Sequence, residues 1–188
     1  MRIGRVEGTF QPTHDSKCAA ASGGMVATAF PDATAAGVEM LAQGGNAIDA
    51  ACAVGFALGV CEPQASGLGG QSTGLVHFDG QTFALDGSSR APSLAHRAQL
   101  KNRESIKLGY RATTVPSTPA AYGWLHRNYG RLDWKTVLEP AIRIAHSGYG
   151  ITQLQHDLQV REQENFLSVN SRSGARYFLA AGAEPHPV

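Results

Sequence analysis

The sequence predicts a mixed α/β (α+β) fold, and three observations carry that expectation. An apolar stripe at helical spacing follows Pro31, an almost uncharged helical segment follows Asn46, and two period-two runs flank Asp79-Gly80. With 188 residues, 43% hydrophobic and 16% charged, the chain can bury a real core. A net charge of +1 and scattered basic residues give no basis for a nucleic-acid partner. The longest apolar run, 50–61, is too short to span a bilayer, so no membrane partner is expected.

Residues 1–22 are polar and weakly patterned and are expected to form a flexible N-terminal arm. They contain no apolar h-region, so no signal peptide is read and cytoplasm is the default location. Residues 25–29 (MVATA) are expected to form a short buried strand after Gly23-Gly24. Pro31 suits a first helical turn, where its missing N–H is not needed. Ala33, Ala36, Gly37, Met40 and Leu41 then make one apolar face, which Gly44 and Gly45 terminate. Asn46 is placed to cap a second helix, with Asp49 in the first turn where the helix dipole favours negative charge. From 47 to 60 Asp49 is the only charge, so that helix must be covered on all sides.

The runs 74–78 and 81–85, joined by Asp79-Gly80, predict a hairpin with a type I′ turn. A mainly helical half follows. Helices are expected over 92–101 and over 119–128, the latter with Ala120, Gly123, Trp124 and Arg127 on one side. Asp133 is read as the cap of a helix from Trp134 whose Val137, Leu138, Ala141, Ile142 and Ala145 face the core. Pro140 should kink or restart it and Gly148 stop it. A last helix is expected over 153–166, with irregular chain beyond.

Most reactive-looking residues have plain explanations. The three cysteines, Cys18, Cys52 and Cys61, form no CxxC pair and read as buried free thiols. The seven histidines show no ligand spacing, so no metal is expected, and His77 reads as a satisfied sheet residue. Gly67-Leu68-Gly69-Gly70 lacks a following Gly-Lys-Ser/Thr and comes after a helix, which argues against a phosphate cradle. It reads instead as close backbone packing beside a pocket. No cofactor is expected.

Several segments together resemble the γ-glutamyltranspeptidase family of N-terminal nucleophile hydrolases. They are GGMVATAF at 23–30, GGNAIDAACA at 44–53, EPQASGLGG at 62–70 and the hairpin closing on LDG and AP at 85–92. Similarity continues through VPSTPAA at 115–121, YGRLDW at 129–134 and EPAIRIAHSGY at 139–149. The resemblance implies a four-layer αββα sandwich of which this chain is an incomplete part. Residues 23–188 would then be the N-terminal portion of a large subunit. It implies an amide-bond hydrolase or acyl transferase acting on a small-molecule γ-glutamyl or acyl amide such as a glutathione-like donor. The nucleophile would be the N-terminal threonine of a partner small subunit, with its own α-amine in the base system. No catalytic residue is assigned within this chain, and Thr113-Thr114 reads as a strand or loop element.

Two departures bear on substrate. Gln71-Ser72-Thr73 stand where the family has further glycine and an aromatic or methionine. After the hairpin, where the family reads Asp-x-Arg-Glu-x-Ala-Pro and its arginine grips a carboxylate, this chain has Ser88 and Ser89, with Arg90 two residues on. Ser88, Ser89 and Arg90 are the candidate substrate-binding residues. A two-residue shift in extended chain moves Cα by about 6–7 Å. Arg90 therefore either swings in to clamp a carboxylate or serves as an ordinary surface arginine. The alternatives left open are an acylase-like relative acting on a non-glutamyl acyl group and a non-catalytic binding or scaffold module.

Overall fold

The computed structural model describes residues 19–99, 102, 106–168 and 173–188. Most of the expected N-terminal arm, residues 1–18 with Cys18, therefore lies outside the described residues. The elements run α1 (Pro31–Ala42), α2 (Ala47–Cys61), α3 (Pro63–Ser66), β1 (Ser72–Phe78) and β2 (Gln81–Gly87). Short 3-10 turns follow at Arg97–Gln99 and Tyr110–Ala112. The chain then forms α4 (Thr118–Tyr129), α5 (Trp134–Ser147), α6 (Gln153–Ser168) and α7 (Ser173–Phe178).

Local chemistry explains the first half. α1 starts on Pro31 and ends in a Schellman arrangement: Gly44 N–H donates to Leu41 O at 3.2 Å and Gly45 N–H to Met40 O at 2.9 Å. Gly44 takes φ 85°, which a side chain would resist. α2 opens with a reciprocal capping box. Asn46 Oδ1 accepts from Ile48 N–H and Asp49 N–H, while Asp49 Oδ2 accepts from Asn46 N–H.

Asp49 is fully buried, and the fold explains how a carboxylate survives there. Besides the Asn46 amide it accepts the backbone N–H groups of Arg131, at 3.0 and 3.1 Å to its two oxygens, and of Leu132 at 3.2 Å. His126 Nε2 lies 3.5 Å away. Asp49 thus ties the start of α2 to the α4–α5 turn, a tertiary role that its place in the first turn does not reveal. Asn46 joins in by donating its side-chain amide to Tyr129 O at 2.6 Å.

α2 is the central helix, packed on α1, α5 and α4. One side contributes Phe56, Ala57 and Cys61 to a cluster with Phe30, Ala33, Ala36 and Ala141. The other contributes Ile48, Cys52 and Ala53 to a cluster with Met40, Leu125 and Val137. The β1–β2 hairpin is antiparallel with Val76 opposite Phe83. Its inner face, Val76, Phe78, Phe83 and Leu85, closes the second cluster. Asp79 (φ 48°) and Gly80 (φ 74°) supply the two left-handed positions a type I′ turn requires. On the outer face, His77 Nδ1 pairs with Thr82 Oγ1 at 2.8 Å across the strands.

Several expectations are corrected. Residues 25–29 form no strand and are not buried, Met25 being 58% exposed, because no partner strand lies beside them among the described residues. Residues 92–99 are not α-helical beyond one 3-10 turn, while 100 and 101 lie outside the described residues. The segment has no stripe to bury, and Leu94 is 78% exposed, so packing cannot offset the cost of starting a helix. In α4 the buried residues are Thr118, Ala121 and Leu125, and Trp124 is 42% exposed. Both sets obey helical spacing, and the neighbouring α2 and hairpin select between them. In α5 Ile142 and Ala145 are exposed, and Ile144 packs inward instead. Pro140 neither ends nor restarts α5, and Asp133 makes no side-chain cap. Past Ser168, where irregular chain was expected, α7 forms and stacks Phe178 on Phe166, with ring centroids 5.8 Å apart. Cys52 and Cys61 are buried free thiols.

Candidate functional site

The end of β2 and the start of α4 meet at a cleft of about 530 Å³. Its floor is set by three contacts. Arg90 N–H donates to Val115 O at 3.2 Å and Val115 N–H to Arg90 O at 2.8 Å, a short antiparallel bridge. The Ser117 hydroxyl donates to Gly87 O. These hold residues 86–90 against 115–117, so the cleft is lined by Asp86, Ser88, Arg90, Val115, Ser117 and Trp124, among others.

Of the three candidate residues, Ser88 and Arg90 line this cleft and Ser89 does not. Ser88 donates both its N–H, at 3.0 Å, and its hydroxyl, at 2.6 Å, to Asp86 Oδ1, a side-chain-closed turn. The Ser88 hydroxyl first, its N–H next and Arg90 more weakly hold the Asp86 carboxyl below its ordinary range. Ser89 faces Gln71, whose Oε1 accepts its N–H at 3.2 Å and its hydroxyl at 3.4 Å. Both serine hydroxyls are thus engaged within the chain. Arg90 forms no ion pair among the described residues and is exposed to the cleft.

The thiols are unsuited to nucleophilic work. Burial, followed by the Asp49 charge, pushes the Cys52 thiol up to about 12. Burial, followed by Asp32, pushes Cys61 up to about 11, so both are protonated at neutral pH. Among the described residues no group of three or more His, Cys, Asp or Glu side chains is arranged to hold a metal. No described helix is long and apolar enough to cross a membrane. Thr113 and Thr114 lie in exposed loop.

Residues 33–188 match the family profile described as Gamma-glutamyltranspeptidase. The chain belongs to the γ-glutamyltranspeptidase family. It is 37% identical over 163 residues to a glutathione hydrolase proenzyme of Pseudomonas sp. strain A14, covering 82% of this chain and 28% of that protein. It is 38% identical over 156 residues to the acylase ACY 1 proenzyme of Pseudomonas sp. strain V22, covering 74% of this chain and 27% of that one. The chain therefore spans little more than a quarter of the length of these curated relatives. Its structure superposes on the Helicobacter pylori γ-glutamyltranspeptidase with a TM-score of 0.81 at 31% identity, over 89% of this chain and 50% of that chain. The helices and hairpin are thus a portion of the γ-glutamyltranspeptidase fold, an N-terminal nucleophile hydrolase architecture.

Residues that the sequence did not single out complete the cleft. Ser117 spends its hydroxyl on Gly87 O rather than on capping α4. Trp124 forms one wall while its ring leans on Phe83 and Tyr129. A Ser-Thr-Pro helix start is the only advance signal for Ser117, and nothing in the sequence places Trp124 beside Arg90.

Proposed function

We propose that residues 23–188 form the N-terminal portion of the large subunit of a γ-glutamyltranspeptidase-type amide hydrolase and acyl transferase. The nucleophilic threonine would be supplied by a small subunit. In this reading the threonine Oγ adds to the amide carbonyl, the C–N bond breaks and the amine leaves with the proton. Water or an acceptor amine then takes the acyl group. The observation that carries the substrate reading is Arg90. Its backbone is pinned to Val115, its side chain forms no ion pair within the described residues beyond a weak pull on the Asp86 carboxyl, and it lines the cleft. A guanidinium so placed suits the carboxylate of a γ-glutamyl donor.

The test expresses the chain with the remainder of a family-length protein and assays γ-glutamyl anilide and uncharged acyl anilides. Arg90→Ala should raise KM about tenfold or more for the γ-glutamyl substrate, the loss of one charge-assisted pair, and leave an uncharged acyl anilide unaffected. No turnover of any amide after correct self-cleavage would rule out the enzyme reading.

A second reading, an acylase taking a non-glutamyl acyl group, has one observation in its favour. The hydroxyls of Ser88 and Ser89 are turned to Asp86 and Gln71, which leaves a single cation at this end of the cleft. Uncharged acyl anilides turned over faster than the γ-glutamyl anilide, with Arg90→Ala neutral on both, would select it.

A further inference from the structure

The buried residues of α6 are two glutamines, Gln155 and Gln159, four residues apart on one face. Burying an amide is costly unless both of its ends are paired. Gln155 gives its NH₂ to the Tyr149 hydroxyl at 2.7 Å, and its Oε1 is closed off from water. Gln159 is 7% exposed, and its Oε1 accepts His186 N–H at 2.8 Å. A backbone N–H can only donate, so this bond fixes which way the amide faces. The Gln159 NH₂ is left without an acceptor among the described residues, and unlike the Gln155 oxygen it is not closed off from water.

Gln159 lines a cavity of about 300 Å³ between α3, α6 and α7, and its NH₂ is the polar group it can offer there. The rest of the wall is a shaped apolar surface. Phe166 and Phe178 stack with ring centroids 5.8 Å apart, and Leu158 and Pro63 close other sides. Gly174 permits the stack, since a Cβ there would stand 2.7 Å from Phe166 Cδ1. The two charged residues of the lining neutralise each other. Arg161 Nε donates to Glu162 Oε1 at 2.8 Å, and Asn165 donates to Glu162 Oε2 at 2.7 Å. None of these residues lines the Arg90 cleft.

We propose that this cavity binds a small, neutral aromatic compound that carries one acceptor oxygen. Its ring lies against Phe166 and Phe178, and its oxygen accepts from the Gln159 NH₂. The volume stands at the lower end of the roughly 300–1,000 Å³ of small-molecule sites, which suits a single ring. A ring without an acceptor leaves the amide donor unpaired. An anion sheds its hydration and gains little from a guanidinium already paired with Glu162. A neutral aryl carbonyl compound avoids both costs.

The test uses the natural full-length protein that carries this sequence and three probes: para-fluoroacetophenone, fluorobenzene and para-fluorobenzoate, each titrated and followed by fluorine NMR. Para-fluoroacetophenone should give saturable line broadening, and the other two should bind about tenfold more weakly or worse. Gln159→Met keeps the bulk and removes the donor. It should weaken para-fluoroacetophenone about tenfold or more and leave fluorobenzene unchanged, a split that mere loss of structure would not produce. Phe178→Leu, at a residue 38% exposed, should weaken both neutral probes, and it keeps the proposal testable if Gln159→Met does not fold. Arg90→Ala should alter none of the three. The proposal is overturned if para-fluoroacetophenone shows no saturable broadening, as it would if further chain of the full-length protein fills the cavity. It is equally overturned if either other probe binds as tightly, if Gln159→Met binds the ketone as the parent does or weakens the two neutral probes alike, if Phe178→Leu changes neither, or if Arg90→Ala abolishes binding.

Discussion

Replacing Asp49 by alanine should remove more stability than any other single polar change among the described residues. The side chain is fully buried and accepts backbone N–H groups from Asn46, Arg131 and Leu132. Truncation strands three part-buried donors and deletes half of the α2 capping box. Each stranded donor costs about 1–3 kcal/mol, and because the three share two oxygens the low end of the sum, about 3 kcal/mol, is the safer figure. For a chain of this size about 2–4 °C of melting temperature accompanies each kcal/mol, which gives a drop of about 6–12 °C. Asp49→Asn separates charge from shape. One acceptor oxygen survives while an NH₂ group faces a donor, so roughly half the loss is expected. Thermal unfolding followed by circular dichroism reads both variants against the parent. A melting temperature for Asp49→Ala within about 2 °C of the parent would refute the reasoning. So would an Asp49→Asn variant as damaged as Asp49→Ala, since the acceptor oxygen it keeps would then count for nothing.

Two further outcomes follow from packing and titration. A Cβ at Gly55 would stand 2.4 Å from Tyr122 Cε2, so Gly55→Ala should cost about 1–3 kcal/mol by forcing the ring off α2; urea midpoints matching the parent would contradict this contact. The thiols make stability fall in alkali. A thiol ionises at about 9 in the unfolded chain but is held up to about 12 at Cys52 and about 11 at Cys61 in the fold. Above pH 9 the unfolded state therefore loses protons first. The stabilisation is complete below that pH and is lost as pH rises through the folded values. Urea midpoints should decline between about pH 9 and pH 11, and less steeply in Cys52→Ser; a flat profile would show that the thiols are solvated.

The legible parts of the sequence were those governed by local rules. Pro31, Gly44 and Asn46 bound α1 and α2 because a missing N–H, a left-handed cap and a short polar side chain act on their own neighbours. Asp79-Gly80 dictated the hairpin for the same reason. Residues 92–99 misled because a proline start is not enough to make a helix without an apolar face to bury. Residues 25–29 misled because a strand needs a neighbour, which composition cannot supply.

The candidate site divides along the same line. Ser88 and Arg90 were identifiable as the place where this chain departs from its family, and both line the cleft. That Ser89 turns away to Gln71 could not be read, because the two residues lie in different loops that the hairpin brings together. Ser117 and Thr118 were read only as part of a family segment and Trp124 only as part of a helix face, for a related reason. The buried side of α4 is chosen by what it packs against, since two helical stripes fit its sequence equally well.

By itself, then, the sequence determined the family, α1, α2 and α4 to α6 around a hairpin, and the segment at 88–90 that departs from the family pattern. Local backbone chemistry and motif spacing suffice for those. Only the tertiary structure decided that Asp49 joins α2 to the α4–α5 turn, that Arg90 faces a cleft while Ser89 does not, and that Gln159 is buried with its acceptor on His186 N–H and its donor left to a cavity. Each depends on groups tens of residues apart meeting at hydrogen-bonding distance, and that is set by how the helices pack.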